Sequence, residues 1–118
     1  MPLTKTNGSI TQLTTTSNSV VVDVSDAYAA VFSVRHANGT GTITAAATVQ
    51  PQISHDGTNW RNDGGAFAFG LDASTTELRT YVPPTDGLAV KSVRFAYTAP
   101  VGSTGHTLDC DYSKTTVL

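Results

Sequence analysis

The chain has 118 residues, 14% of them charged, with seven Lys and Arg against nine Asp and Glu for a formal net charge of −2. That length fits one domain with a single core that folds without staples. Lys5, Arg35, Arg61, Arg79, Lys91, Arg94 and Lys114 are scattered, so the basic block or stripe of a nucleic-acid binder is missing, and no apolar run approaches the about 20 residues of a membrane-spanning helix.

Thr, Ser, Val, Ala and Gly dominate, while the helix formers Leu, Glu, Lys and Gln are scarce. Residues stiff at χ1 fit a pleated surface, so composition argues for an all-β protein. Residues 1–19 are polar and Thr-rich, with Ile10 and Leu13 as their candidates for burial. They read as an extended N-terminal arm or weak edge strand, with a short strand near residues 9–13. Residues 20–118 read as one β-sandwich domain.

A first strand is expected over 20–24 and a second over 28–36, where Ala30, Phe32 and Val34 alternate with Val31, Ser33 and Arg35. Asn38-Gly39 is a strong hairpin signal. Residues 42–54 then place Ile43, Ala45, Ala47, Val49 and Ile53 on one face, and Pro51, which cannot donate to a ladder, implies an edge or a bulge there. Ile53-Ser54-His55-Asp56-Gly57-Thr58-Asn59-Trp60 is a strand end, a tight turn and the only Trp. Gly57 takes φ > 0 without steric cost, Asp56 and Asn59 cap backbone N–H groups, and Ile53 and Trp60 act as register anchors. Trp60 reads either as an inward anchor or as an exposed platform that stacks on a sugar.

Residues 60–62 start the partner strand, with 66–69 as its continuation or a packed loop. A strand over 75–82 is anchored by Leu78 and Tyr81. Pro83-Pro84 opens a loop through Gly87. Residues 88–98 form a strand with Val93, Phe95 and Tyr97 on one face, and 106–114 another with Leu108, Cys110 and Tyr112 inward. Lone Cys110 forms no intramolecular disulfide and reads as a small buried hydrophobe. These are about seven to eight short strands separated by turn signals, the pattern of an antiparallel β-sandwich, Ig-like or jelly-roll-like.

No chemistry emerges from spacing. His36, His55 and His106 show no His-x-His or His-x-x-x-His pair, and Cys110 has no second thiol. Asp56, Asn59, Asn62 and Asp63 are clustered oxygen donors, but the EF-hand Gly and Glu positions do not fit. Ser54-His55-Asp56 cannot form a relay, because adjacent strand residues point to opposite faces, and no Gly-x-Ser-x-Gly marks a nucleophile. No catalytic, cofactor or metal site is expected.

The Ile53–Trp60 pattern, Ile-Ser-x-Asp-Gly-x-Asn-Trp, resembles an element of small β-sandwich proteins of tailed-bacteriophage virions. These include capsid decoration (cement) proteins, head fibres and tail or baseplate modules. The resemblance covers residues 20–62; residues 63–118 carry no motif that assigns them. It implies a non-enzymatic virion structural protein. Decoration suits a compact domain with its own Met1. It implies a homo-oligomer, a trimer, bound to the major capsid protein on the capsid exterior after synthesis in the host cytoplasm, with no nucleic acid, membrane or cofactor. Residues 1–5 lack a signal peptide's charged start and apolar core, consistent with that expectation. Leu3, Ile10 and Leu13 of the arm and Pro83 and Pro84 of the later loop are its candidate contacts. The alternatives are a carbohydrate- or receptor-binding module, as in an adhesin or head fibre, and a tail or baseplate component.

Overall fold

The computed structural model describes residues 3–72, 76–84 and 90–117. A four-stranded sheet runs in the order β1 (Leu3–Leu13), β12 (Thr107–Val117), β4 (Ala27–Ala37) and β9 (Thr76–Tyr81). The opposing sheet centres on β10 (Ser92–Thr98) and β6 (Thr48–Ser54). There β2 (Ser17–Asn18) and β3 (Val22–Asp23) pair with the outer side of β10, and β7 (Arg61–Asn62) and β8 (Phe67–Ala68) with that of β6. A ribbon of β5 (Thr40–Ala45) and β11 (Val101–Thr104) joins the two. All pairs are antiparallel.

The chain makes four passes, β1–β3, β4–β6, β7–β9 and β10–β12, and each begins in one sheet and ends in the other. Both sheets order them first, fourth, second, third. This is the jelly-roll arrangement, which resolves the two sandwich topologies in its favour. At its centre the second and fourth passes run side by side as one ribbon, with β4 on β12, β5 on β11 and β6 on β10.

Asn38-Gly39 therefore does not make the expected hairpin. β4 pairs with β12 and β9, and the chain at Gly39 turns a corner together with its partner strand. The bend brings backbone against backbone. Gly39 has φ +77° and a Cβ there would collide with the Thr104 carbonyl oxygen; Gly102, on the facing strand, has φ +97° and would collide with that of Thr42. Asn38 is buried, and its amide donates to the Gly70 and Asp72 carbonyls at 2.9 Å each. The local signal for a reversal is thus used for a corner.

Period-2 alternation assigns the faces correctly in β4, β6, β10 and β12. Phe32 from one sheet meets Phe95 from the other edge-on at 5.4 Å, with Tyr81 packed against both. Val34, Val49, Ile53, Val93, Tyr97, Leu108 and Cys110 complete the middle of the core. Leu78 is a correction: it is exposed on the outer face of β9, and Tyr81 alone anchors that strand, its hydroxyl donating to Asp63 Oδ2 at 2.6 Å. Pro51 lies opposite Phe95, inside the sheet. Its other neighbour is interrupted there, between β7 and β8, and its carbonyl accepts the Asp63 N–H at 3.0 Å. The missing N–H points to that gap, so no ladder bond is lost. The first expected strand shrinks to Val22–Asp23, because Ser19 takes over part of the ladder: its N–H donates to the Phe95 carbonyl and its hydroxyl accepts the Phe95 N–H.

Among the described residues His36 is the one buried imidazole. Its Nε2 lies 2.8 Å from the Tyr97 hydroxyl and its ring stacks on Phe69 at 4.9 Å. Burial, reinforced by His106, pushes its pKa down from the ordinary 6.5. The unfolded chain then binds a proton that the native state refuses, so stability falls as pH drops below about 6.5. Ring-proton NMR should give His36 a midpoint below 6.5; titration at or above it contradicts the burial.

Gly102→Ala should cost about 2 kcal/mol or more in urea unfolding, through the left-handed backbone and the carbonyl overlap together. Gly64→Ala is the control: φ is +70°, with no atom within 4 Å of the new Cβ. It should cost about 1 kcal/mol. Equal losses at the two positions would contradict a close-packed corner.

Candidate functional site

The Ser54–Trp60 turn is organised by one carboxylate. Asp56 Oδ1 accepts the backbone N–H groups of Thr58 and Asn59, both at 2.8 Å, and the Ser54 hydroxyl at 3.0 Å. Asp56 Oδ2 takes the Asn59 amide at 2.6 Å. The Ser54 hydroxyl in turn accepts the Gly57 N–H at 2.8 Å, with Gly57 at φ +82°. The Asn59 and Thr58 amides, with the Asn59 side chain and the Ser54 hydroxyl, hold the Asp56 carboxyl well below the usual carboxylate range. Ile53 points into the core, and β6 pairs onward with Arg61 and Asn62.

Trp60 departs from the inward reading. It is half-buried, under the Arg94 guanidinium, which sits 4.3 Å from the ring centroid. Arg94 alternates with buried Val93 and Phe95, so this stack lies on the outer face of the sheet, where Arg94 also donates to Gln52 at 2.8 Å and Gln52 to Asn62 at 3.0 Å. Trp60 and Arg61 line a shallow depression of about 230 Å³ with His55, Asp56 and Asn59. Cation–π contact covers one face of the indole.

The N-terminal segment is no detached arm. β1 pairs with β12 from Leu3↔Val117 to Leu13↔Leu108, with one irregularity between Ile10 and Leu13. Backbone ladder bonds need no apolar side chains, which is why hydropathy hides this strand. Ile10 is in the core and Leu13 packs half-buried against it, so both serve the fold; Leu3 is exposed. The Tyr112 ring fills the space where Gly8 lacks a Cβ, pressing β1 against its neighbour. Pro83 is buried and Pro84 exposed; the rest of that loop, 85–87, and the first two residues of the strand expected over 88–98 lie outside the described residues.

β1 ends its sheet: it pairs with β12 on one side and with no described strand on the other. On the sheet's outer face Arg35 Nη1 meets Asp111 Oδ2 at 2.6 Å, and the Ser9 hydroxyl donates to Asp111 Oδ1 at 3.0 Å. Arg35 and then Ser9 hold the Asp111 carboxyl below its ordinary value. Gln12 donates to Asp109 at 2.9 Å. Cys110 lies beneath, buried, its thiol pushed up to about 12 by burial. Among the described residues no three His, Cys, Asp or Glu side chains converge as metal ligands. This face could not be assembled from spacing, since it needs the register of strands far apart in sequence.

No protein-family model and no curated protein matches the chain. Among solved structures, it is similar to a chain of the Bacillus endospore appendages, described as a family of disulfide-linked pili. The TM-score is 0.50 at 12% identity, over 98% of this chain and 89% of that one. It also aligns with a chain of infectious bursal disease virus, Gx strain, with TM-score 0.47 at 16% identity, over 98% of this chain. There it spans 32% of the viral chain's length. The first likeness concerns the fold alone.

Asp56→Ala should lower the melting temperature at neutral pH. A carboxyl depressed in the native state contributes stability above its unfolded value of 3.8, and that contribution is lost as pH falls. The gap between wild type and variant should therefore narrow on acidification below 3.8. A gap constant down to strongly acid pH would contradict the carboxylate's role.

Proposed function

We propose that the chain is a non-enzymatic structural subunit of a tailed-phage virion, a capsid decoration protein that attaches through the open edge of β1. The observation that carries this reading is the edge itself. Eleven residues present one side with no described partner strand, with Lys5 as their single charge and their one register irregularity confined to the far end, between Ile10 and Leu13. Soluble β-proteins ordinarily guard such an edge with charges, Pro or bulges, since it templates strand addition by another chain. An extended segment of a capsid subunit or of a second copy would add there through main-chain hydrogen bonds.

The Ile53–Trp60 hairpin and the jelly-roll architecture support a virion protein. A fold shared with a pilus protein is compatible with a subunit role. Disulfide linkage of that kind has no counterpart here: Cys110 is the single cysteine and is buried. Contacts are then non-covalent, and three copies around a threefold axis of the shell would multiply a modest contact by avidity. Leu3 and Pro84 are the exposed members of the contact set.

Thr4, Thr6 and Thr11 are exposed, so Lys at all three should leave the melting temperature within a few degrees while blocking the edge. Wild type should co-sediment with undecorated phage capsids and raise their heat resistance. The triple variant should bind at least about tenfold more weakly. A wild type that fails to bind capsids, or a variant that binds as well, would overturn the reading.

A further inference from the structure

The outer face of the four-stranded sheet carries a trough of about 550 Å³, within the range of small-ligand clefts. Register alone builds it. Ser9, Asp111, Ser33 and Thr80 are successive cross-strand partners, one from each strand, and face outward in a single row. Two residues along, Asn7, Ser113 and Val31 form a second row. Every side chain in these rows is short, whereas the next row contains Arg35 and Leu78, which rise as a wall on one side.

We infer that this trough is a binding site for a neutral glycan. The hydroxyls of Ser33, Thr80 and Ser113 and the Asn7 amide have no hydrogen-bond partner among the described residues, and a hydroxyl both donates and accepts. Asp111 is preset by Arg35 and Ser9, leaving acceptor capacity on a carboxylate of fixed orientation. Val31, 40% exposed, supplies an apolar contact for the face of a ring. Neighbouring strands are about 4.8 Å apart, close to the length of one pyranose unit, so the row presents polar groups at saccharide intervals.

Other ligand classes fit less well. An anionic ligand would face the Asp111 carboxylate. An extended peptide needs backbone partners, but β12 and β4 use theirs on both sides within the sheet. A metal would find one carboxylate in the trough. A glycan needs only directed side-chain hydrogen bonds, and because each replaces one to water the affinity should be weak. The site lies away from the Trp60 stack; it shares Asn7 and Ser9 with β1 but uses their side chains on the outer face and not the strand's open backbone side, so it does not depend on the capsid reading and survives its failure.

Titrating the ¹⁵N-labelled protein with cellohexaose, maltohexaose and chitohexaose tests it. At least one should shift amides of β1, β12 and β4 around Ser9, Asp111 and Ser33, saturably. Ser33→Leu and Ser113→Leu, which fill the trough from outside the core, should each abolish the shifts while the rest of the spectrum stays native. Asp111→Asn should weaken binding severalfold. No shifts with any of the three sugars, shifts centred on Trp60, or undiminished binding by both Leu variants would overturn the proposal, as would preferential binding of an unstructured peptide in the trough.

Discussion

Two chain segments bend together where backbone touches backbone, and the rest of the molecule follows from that corner. At Gly39 and Gly102 the central ribbon has no room for a Cβ, and both residues sit in the left-handed region. Bending both strands at once carries the ribbon from one sheet to the other through a separate two-stranded piece, with one register shift between Val101 and Ser103. The first and third passes can then add only at its two flanks. That leaves β1 and β9 as the ends of one sheet, and interrupted short strands as the ends of the other. The central pairing in that order thus rests on one steric condition.

The same geometry separates the two faces of the four-stranded sheet. Its inner face is apolar and aromatic, with Phe32 at the centre between Tyr81, Tyr112 and Phe95. The outer face carries small polar side chains fastened by Arg35, Asp111 and Ser9. Those charges are partly exposed and add little to stability; they order a surface. Stability resides inside, while β1 contributes one bonded side and presents the other. A strand that ends a sheet with almost no charge suits a subunit whose last hydrogen-bond partner is another molecule.

Much of this was legible in the sequence, and what was not has a physical reason. Alternation located the core residues of β4, β6, β10 and β12, and Asp56, Gly57 and Asn59 formed the expected turn, because both signals are local. Asn38-Gly39 misled for the same cause: left-handed glycine serves a hairpin and a corner equally, and only distant partners distinguish them. Arg35 meets Asp111 across 76 positions of sequence. β1 was underestimated since its ladder bonds to β12 leave no mark in hydropathy. Leu78 and Tyr81 differ in parity alone, and Tyr81 faces inward where Asp63 receives its hydroxyl. Trp60 found a cation outside instead of a carbonyl within, a choice made by Arg94 more than thirty positions away. The polar trough had no sequence signature, as it exists only in the register of four strands.

Amide hydrogen exchange along β1, in the free protein and on capsids, tests the open edge most directly. In the free protein, β1 amides that point away from β12 should exchange at nearly unprotected rates, while those of β6 and β10 exchange slowly. On capsids the exposed β1 amides should become protected, with the central strands unchanged. Capsid binding that leaves β1 exchange as it was, or β1 amides fully protected already in a monomer, would contradict attachment through that edge.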